Sequence, residues 1–305
     1  MKVIQNFSSK KHILEYPKVD ILIWYVGLLQ LKKFGHSLKL YCEKKDLDFL
    51  KQWGLLDFYD EIDTEVLAKF KPNINETNFW SVRKLECIRH EFEVSTEKFA
   101  YIDTDIIVNR SLEFEDDILV WGPEDNRSGV YLDWKHLSLP KDYILEDWLK
   151  NTLAGFNCGI LAFKSKEVFN TYLEEYYKFT VGNPCTLKMI NLPPENQRNS
   201  WACTAEQRIL KGICVKLNLS IEAFMDEVGI GSCENGIHYF IFRHYWRELK
   251  NKYFYGPEKD FAINSLNTHV KACFNYLDER GKEIFLQIPE FNYLYFENKL
   301  LNKYI

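Results

Sequence analysis

The chain has 305 residues, of which 46% are hydrophobic and 27% are charged, and its formal net charge at pH 7 is -5. This length and apolar content suffice for a large core, whereas the negative charge excludes a general nucleic-acid binder, which needs a basic surface against phosphates. No apolar run approaches the roughly 20 residues of a membrane-spanning helix, and residues 1–7 lack a signal-peptide pattern. We therefore expect a cytoplasmic protein, with peripheral attachment to a membrane left open.

Over the first third of the chain, the apolar periodicity alternates between that of a strand and that of a helix. The predicted elements are a strand at 2–7, a helix at 20–34, a strand at 38–42, helices at 46–53 and 78–92, and a strand at 99–108. In the first helix, Asp20 is the expected N-cap and Gly35 the expected stop signal. Alternating strands and helices predict an α/β fold with a mostly parallel central sheet flanked by helices.

The later part of the chain is less regular. Its predicted elements are strands at 118–121, 159–163 and 236–242 and helices at 167–179 and 205–215. Two long polar loops, at 131–151 and 182–200, are expected to carry function, because long ordered loops of α/β proteins usually do. From residue 260 to residue 305 the apolar spacing continues without a motif.

Two carboxylates interrupt the apolar strand predicted at 99–108. In an extended chain, residues two positions apart point to the same side, so Asp103 and Asp105 can reach one cation. Two like charges on an apolar strand are costly unless a positive group neutralises them, and hard oxygen ligands suit Mg²⁺ or Mn²⁺. The pair predicts a divalent-metal site, and the alternative is that it only marks where the strand leaves the core.

Four blocks of residues, in order along 1–250, resemble the GT-A glycosyltransferases, in particular the glycogenin-like and bacterial lipopolysaccharide galactosyltransferase-like group. The blocks are Asp103-Thr104-Asp105, the run from Gly155 to Gly159 with sequence GFNCG, the run from Thr204 to Arg208 with sequence TAEQR, and Ile237-His238-Tyr239. The resemblance implies a GT-A fold, which is a Rossmann-like nucleotide-diphospho-sugar transferase fold. It also implies a catalytic domain at 1–250, with a helical C-terminal extension at 251–305 packed on it.

The same resemblance implies roles for particular residues. Asp103, Asp105 and His238 would bind Mn²⁺ or Mg²⁺, with His244 as the alternative third protein ligand. Glu206 and Gln207 would approach the transferred sugar and serve as the catalytic residues. The residues expected to bind the donor are Arg83, Lys84, Asp103, Thr104, Asn157, Gly159 and Arg243.

We therefore expect a metal-dependent glycosyltransferase that moves a sugar from a nucleotide-sugar donor, with UDP-linked sugars foremost, to a glycan or other hydroxyl acceptor. Retention of the anomeric configuration is what the resemblance implies. One alternative is a noncatalytic carbohydrate-binding or assembly protein with the same fold. The other is a haloacid-dehalogenase-like phosphatase, whose Asp-x-Asp motif normally lies on the first strand.

Overall fold

Strands and helices alternate along the first half of the chain, as the apolar periodicity predicts. A computed structural model describes residues 1–9, 18–124, 131–187, 194–225, 236–238 and 277–286. The strands are β1 (Lys2–Asn6), β2 (Ser37–Tyr41), β3 (Glu61–Asp63), β4 (Phe99–Ile102), β5 (Ile106–Val108), β6 (Ile118–Pro123), β7 (Phe156–Phe163), β8 (Ile221–Ala223) and β9 (Gly236–His238). The helices are α1 (Lys18–Lys33), α2 (Leu47–Gln52), α3 (Val66–Lys69), α4 (Val82–Val94), α5 (Asp147–Lys150), α6 (Lys166–Thr180), α7 (Pro194–Cys203), α8 (Ile209–Leu217) and α9 (Glu279–Leu286).

Within the described residues, the strands form a seven-stranded sheet in the order β3-β2-β1-β4-β7-β6-β8 and a two-stranded sheet of β5 and β9. All neighbouring strands of the large sheet are parallel except for β7, which is antiparallel to both β4 and β6. The chain first winds outward from β1 to β3 and then returns to the other side of β1 at β4. The two directions of winding meet between β1 and β4.

Both faces of the large sheet are covered, because side chains of opposite orientation along each strand enter two separate cores. Val3 packs in one core with α1, whereas the next residue, Ile4, packs in the other with α4 and α6. Ala100 and Tyr101 divide between the two cores in the same way. Successive side chains of a strand point to opposite faces of the sheet, which explains this alternation. The predicted α/β fold, with a mostly parallel sheet flanked by helices, is confirmed.

The first helix ends where the sequence predicts but does not begin there. Gly35 follows α1 with a φ of +75°, a conformation that favours glycine, as its role as a stop signal requires. The prediction that Asp20 is the N-cap is wrong, since α1 already includes Lys18 and Asp20 lies in its first turn. An acid in the first turn stabilises the helix through the helix dipole, so the residue type fits either position.

The continuous strand predicted at 99–108 is also wrong. Residues 99–108 form two strands that belong to two different sheets. A turn separates these strands, and the Ile106 N–H closes it by donating to the Asp103 carbonyl at 3.3 Å. Strand alternation therefore does not orient Asp103 and Asp105 together, and both belong to the turn instead. The loop predicted at 182–200 is shorter than expected, because α7 begins at Pro194.

The predicted strand at 236–242 is described as far as His238, and its remainder lies outside the described residues. Most of the expected C-terminal extension also lies outside them, apart from the segment 277–286 that contains α9. Within the described ranges, no helix has the length and apolar content needed to cross a bilayer.

A buried histidine joins the loop after α1 to two distant backbone groups. The Nδ1 atom of His36 lies 3.3 Å from the carbonyl oxygen of Met1, and its Nε2 atom lies 3.4 Å from the backbone nitrogen of Leu112. Only the neutral ring satisfies both contacts, because Nδ1–H must donate while Nε2 accepts. Burial lowers the pKa of His36 and outweighs the attraction of Glu113.

We predict that this histidine makes the protein less stable in mild acid. A base with a lower pKa in the folded state stabilises the fold above its unfolded-state pKa of about 6.5, and this stabilisation is lost as the pH falls below that value. His36→Gln should lower the free energy of unfolding at pH 7.5 by ~1–2 kcal/mol through weakened hydrogen bonds. It should also remove part of the loss of stability on acidification. Urea unfolding of the unaltered protein and of His36→Gln at pH 7.5 and at pH 5.5 measures this. If acidification lowers the free energy of unfolding of the two proteins equally, the prediction is contradicted.

Candidate functional site

The turn after β4 lies where ligand sites of open α/β sheets usually form. Such sites occur outside the carboxyl ends of the strands, at the point where the strand order changes direction. In this sheet the strand order changes direction between β1 and β4, and the region outside the carboxyl ends of these two strands is called the crevice below; the turn beginning at Asp103 directly follows β4. The backbone N–H of Asp103 donates to the Gly159 carbonyl at 2.8 Å, which fixes the turn against β7.

Lys84, on α4, is the centre of the polar contacts at this turn. Its ammonium donates to Glu206 Oε1 at 2.7 Å, to Asp103 Oδ2 at 3.1 Å and to the carbonyl of Cys158 at 3.0 Å. It also lies 4.9 Å from the centre of the Tyr101 ring. The Lys84 side chain is 8% exposed and that of Glu206 is 5% exposed. These contacts connect a helix, a strand end and a second helical segment through one charge.

The electrostatics of the cluster favour a further positive charge. Burial disfavours the charged form of Lys84, but Asp103 and Glu206 outweigh it and raise the lysine pKa. The pKa of Asp103 is raised to about 6. Burial is the largest cause, the neighbouring charges of Asp105 and Glu206 also raise the pKa, and Lys84 opposes them. Two carboxylates contact the Lys84 ammonium and Asp105 is a third acid close to Asp103, so the cluster has an excess of negative charge.

The donor set at the turn fits a hard divalent cation. Asp103 and Asp105 are partly exposed, and Asp105 has no hydrogen bond or ion pair with any residue that the structure describes. No group of three or more His, Cys, Asp or Glu side chains placed to share a metal ion occurs within the described ranges. Two carboxylates can still suffice, because Mg²⁺ is commonly held by one or two carboxylates, with phosphate oxygens and water completing its shell.

The backbone of His238, the third expected metal ligand, lies close to the turn. Strand β9 pairs with β5 in a register that places His238 opposite Ile106, the residue after Asp105. The side chain of His238 lies outside the description, as do His244 and the expected donor-binding residue Arg243.

The two basic residues on α4 face different surroundings. Lys84 joins the cluster at Asp103, whereas Arg83 donates to Glu76 at 2.6 Å, to Glu43 at 3.1 Å and to Ser8 at 3.2 Å. Neighbouring residues on a helix diverge by about 100°, which accounts for the separation. Arg83 therefore lies at the carboxyl ends of β1 and β2, beside the same crevice and apart from the acidic turn.

Strand β7 contributes two of the expected donor-binding residues. Asn157 accepts a hydrogen bond from the Gly159 N–H at 2.9 Å, and its Nδ2 atom donates to Glu124 Oε1 at 2.8 Å. The amide of Asn157 is thus held at both ends. Thr104, the remaining expected residue of the turn, lies between the two carboxylates and is partly exposed.

Glu206 and Gln207 occupy an unusual helical segment. The residues Thr204–Arg208 form a π-helical turn between α7 and α8, and turns of this kind are rare and frequent at functional sites. Glu206 is buried against Lys84, and its backbone carbonyl accepts a hydrogen bond from the Tyr172 hydroxyl at 2.9 Å. Gln207 is partly buried and contacts the hydroxyl of Tyr131.

Three residues of the site were not predicted from the sequence: Glu124, Tyr131 and Arg208. Glu124 directly follows β6 at the edge of the sheet, so an acid after an apolar strand was an available signal for it. Tyr131 and Arg208 gave no such signal. Their roles depend on contacts between segments more than 50 residues apart, such as Arg208 Nε donating to the Thr152 carbonyl at 2.5 Å.

Comparison with known proteins assigns the chain to a family. Residues 1–263 match DUF6734, described as a family of unknown function. The chain belongs to the DUF6734 family. No curated protein matches this DUF6734 member in sequence.

Several solved glycosyltransferases resemble this DUF6734 protein in coarse fold. The apo-form glycosyltransferase GlyE of Streptococcus pneumoniae TIGR4 is 12% identical with a TM-score of 0.34, over 72% of this chain and 44% of GlyE. The galactosyltransferase LgtC, in complex with donor and acceptor sugar analogs, is 11% identical with a TM-score of 0.34, over 70% of each chain. The PaToxG glycosyltransferase is 10% identical with a TM-score of 0.36, over 96% of this chain and 85% of PaToxG. The chain thus spans less than half of GlyE, and TM-scores this low carry no weight for function.

We predict that Lys84 holds the site together electrostatically. Lys84→Met removes the only ammonium that contacts Asp103 among the described residues, so the buried Glu206 and the partly exposed Asp103 lose their counter-charge. The free energy of unfolding should fall by ~3–5 kcal/mol, as for other broken buried ion pairs. Adding Mn²⁺ should recover part of the loss, because a cation can replace the ammonium. Urea unfolding with and without Mn²⁺ measures both effects.

Lys32→Met is the matched control for this prediction. Lys32 forms an ion pair of 2.6 Å with Asp60, and both side chains are substantially exposed. Exposed pairs contribute at most about 1 kcal/mol, and Mn²⁺ should not change the result. An equal cost for the two substitutions would show that the Lys84 cluster is not a buried electrostatic site.

Proposed function

We propose that this DUF6734 protein is a glycosyltransferase of the GT-A type that takes its sugar from a nucleotide-sugar donor in the crevice between β1 and β4. The single observation that carries the proposal is the cluster of Lys84, Asp103 and Glu206 at the strand ends beside that crevice. A buried ammonium among excess carboxylates suits a ligand that brings both a cation and phosphates. A sugar diphosphate provides the phosphates and requires the cation.

The cation expected in this proposal is Mn²⁺ or Mg²⁺, held by Asp103 and Asp105, with His238 as the third protein ligand. When bound, it would act as a Lewis acid on the diphosphate, whose negative charge grows as the glycosidic bond breaks. Lys84 contributes a second positive charge from a nearly dry position, where electrostatic interactions are stronger than in water. In this proposal Arg83, near the ends of β1 and β2, would bind another part of the donor.

The sugar would lie between the turn and the π-helical segment. Asn157 and Gly159 line the β7 side, where the fixed amide of Asn157 has one N–H left for a sugar hydroxyl. Glu206 and Gln207 line the opposite side. Because Glu206 is buried and paired with Lys84, its part in this proposal is to orient that ammonium, whereas the more accessible Gln207 approaches the reacting carbon.

The donor proposed is a UDP-sugar, and the acceptor is a glycan or another hydroxyl compound. The part of the protein that brings the acceptor hydroxyl to the sugar would act through proximity, a contribution that needs no charged group. The described segment 131–155, which includes α5, borders the π-helical turn through Arg208 and Tyr131. It is therefore the proposed boundary between the donor and the acceptor.

We predict that the protein binds a nucleotide sugar with Mn²⁺ and hydrolyses or transfers its sugar. Asp105→Ala should abolish turnover and weaken binding at least ~100-fold, about 2.7 kcal/mol, because the cation loses a ligand. Isothermal titration with UDP-sugars in the presence and absence of Mn²⁺ measures binding. Release of UDP measures turnover.

Asp48→Ala is the control, since Asp48 is an exposed acid on α2 with no role in the crevice. It should bind and react as the unaltered protein does. Metal-dependent binding without turnover on a broad acceptor panel would support the noncatalytic alternative. Hydrolysis of a generic aryl phosphate would support the phosphatase, and absence of any nucleotide-sugar binding would refute the proposal.

A further inference from the structure

A second polar network lies beside the Lys84 cluster, and it connects Asn157 and Gln207 to Glu124 and Tyr131, whose chemical role the proposed function leaves open. Its hub is the Glu124 carboxylate, whose Oε1 atom accepts from Asn157 Nδ2 at 2.8 Å and whose Oε2 atom accepts from the Tyr131 hydroxyl at 2.5 Å. The hydroxyl oxygen of Tyr131 also contacts the side-chain atom of Gln207 that is assigned as Oε1. The network therefore joins the end of β6, the start of β7 and the π-helical turn.

The number of protons in this network decides how Gln207 is oriented. Burial and the adjacent Glu124 raise the pKa of Tyr131, so its hydroxyl stays protonated and has one proton to donate. That proton cannot serve both Glu124 and an amide oxygen. A carboxylate is the stronger acceptor, since a charge-assisted hydrogen bond is about twice as strong as a neutral one. The Gln207 atom that faces Tyr131 must then be a donor.

Rotating the Gln207 amide by a half turn gives both of these Tyr131 contacts one donor and one acceptor. Its nitrogen then donates to the tyrosine oxygen, while Tyr131 donates to Glu124. Oxygen and nitrogen of an amide have nearly the same shape, so such assignments depend on the hydrogen-bond network. The consequence is that the carbonyl oxygen of Gln207, with its partial negative charge, turns away from Tyr131.

We propose that Tyr131 and Glu124 are positioning residues that hold Gln207 with its carbonyl oxygen toward the sugar site. This inference rests on the proposed function for the identity of the ligand. A partly negative oxygen there would stabilise the positive charge that develops on the sugar carbon as the leaving group departs. An amide nitrogen in the same place would oppose it.

The surrounding backbone keeps the tyrosine and the glutamine in contact. At Gly155, an added Cβ would lie 2.6 Å from Gln207 Cβ and 2.7 Å from the Tyr131 hydroxyl oxygen, so a larger residue would push them apart. Arg208 donates to the carbonyls of Leu132 and Thr152 at 2.7 and 2.5 Å, and its guanidinium stacks 4.1 Å from the Trp134 ring. Arg208, the residue after Gln207, therefore holds both ends of segment 132–152, which directly follows Tyr131.

The test combines a spectroscopic and a kinetic measurement on Tyr131→Phe and Glu124→Gln. In the full-length protein, the side-chain amide protons of Gln207, assigned by their loss in Gln207→Glu, should show a hydrogen-bonded chemical shift. Both variants should move them toward the shift of a free amide. With UDP-sugar and Mn²⁺, kcat should fall roughly 10- to 100-fold while KM changes less than about threefold, as expected when orientation and not binding is lost.

Tyr25→Phe is the matched control, because the Tyr25 hydroxyl on α1 donates to Asp278 at 3.2 Å and has no part in the proposed site. It should change neither the Gln207 resonances nor kcat. Unchanged Gln207 resonances in Tyr131→Phe overturn the inference, and so does a shift of these resonances with unchanged kcat. If the unaltered protein binds no nucleotide sugar, the proposed function fails, and the amide resonances alone then decide the orientation of Gln207.

Discussion

The buried ammonium of Lys84 is the interaction on which the rest of the site depends. Two carboxylates from segments about a hundred residues apart in sequence meet on it, at 2.7 and 3.1 Å. Without the ammonium, Glu206 would be an unpaired buried charge, which folded proteins rarely tolerate. The same arrangement leaves Asp105 outside the ion pairs, so the cluster is neutralised only in part. This incomplete neutralisation is what suits the turn to the divalent cation of the proposed function.

The position of Lys84 follows from how α4 is fixed to the sheet. Glu91, two turns farther along the same helix, is buried and accepts hydrogen bonds from Lys39 at 2.8 Å and from Lys2 at 3.1 Å, on β2 and β1. The helix is thus held at both ends by buried ion pairs. Its amino-terminal part is thereby aligned with the crevice between β1 and β4, where the turn at Asp103 begins. The topology of the sheet and the electrostatics of the site therefore depend on one helix.

Part of this arrangement could be predicted from the sequence. The period of the apolar residues located most of the strands and helices, and the Asp103–Asp105 pair marked the acidic segment, although it was predicted on a strand and forms a turn. The break between β4 and β5 could not be predicted, because the apolar residues on either side read as one strand and only pairing with β9 separates them. Local patterns could also not separate Arg83 from Lys84, since helix packing decides which one enters the cluster. The contact of Tyr131 with Gln207 spans 76 residues and depends on tertiary structure alone.

The central claim is that the turn at Asp103 binds a divalent cation together with a nucleoside diphosphate. Electron paramagnetic resonance of Mn²⁺, titrated with the protein in the presence and absence of UDP, tests it most directly. We expect the signal of free Mn²⁺ to fall far more with protein and UDP together than the separate effects of protein and UDP would produce. A signal that falls no further than those separate effects, or that falls equally when both Asp103 and Asp105 are replaced by Asn, would contradict this account.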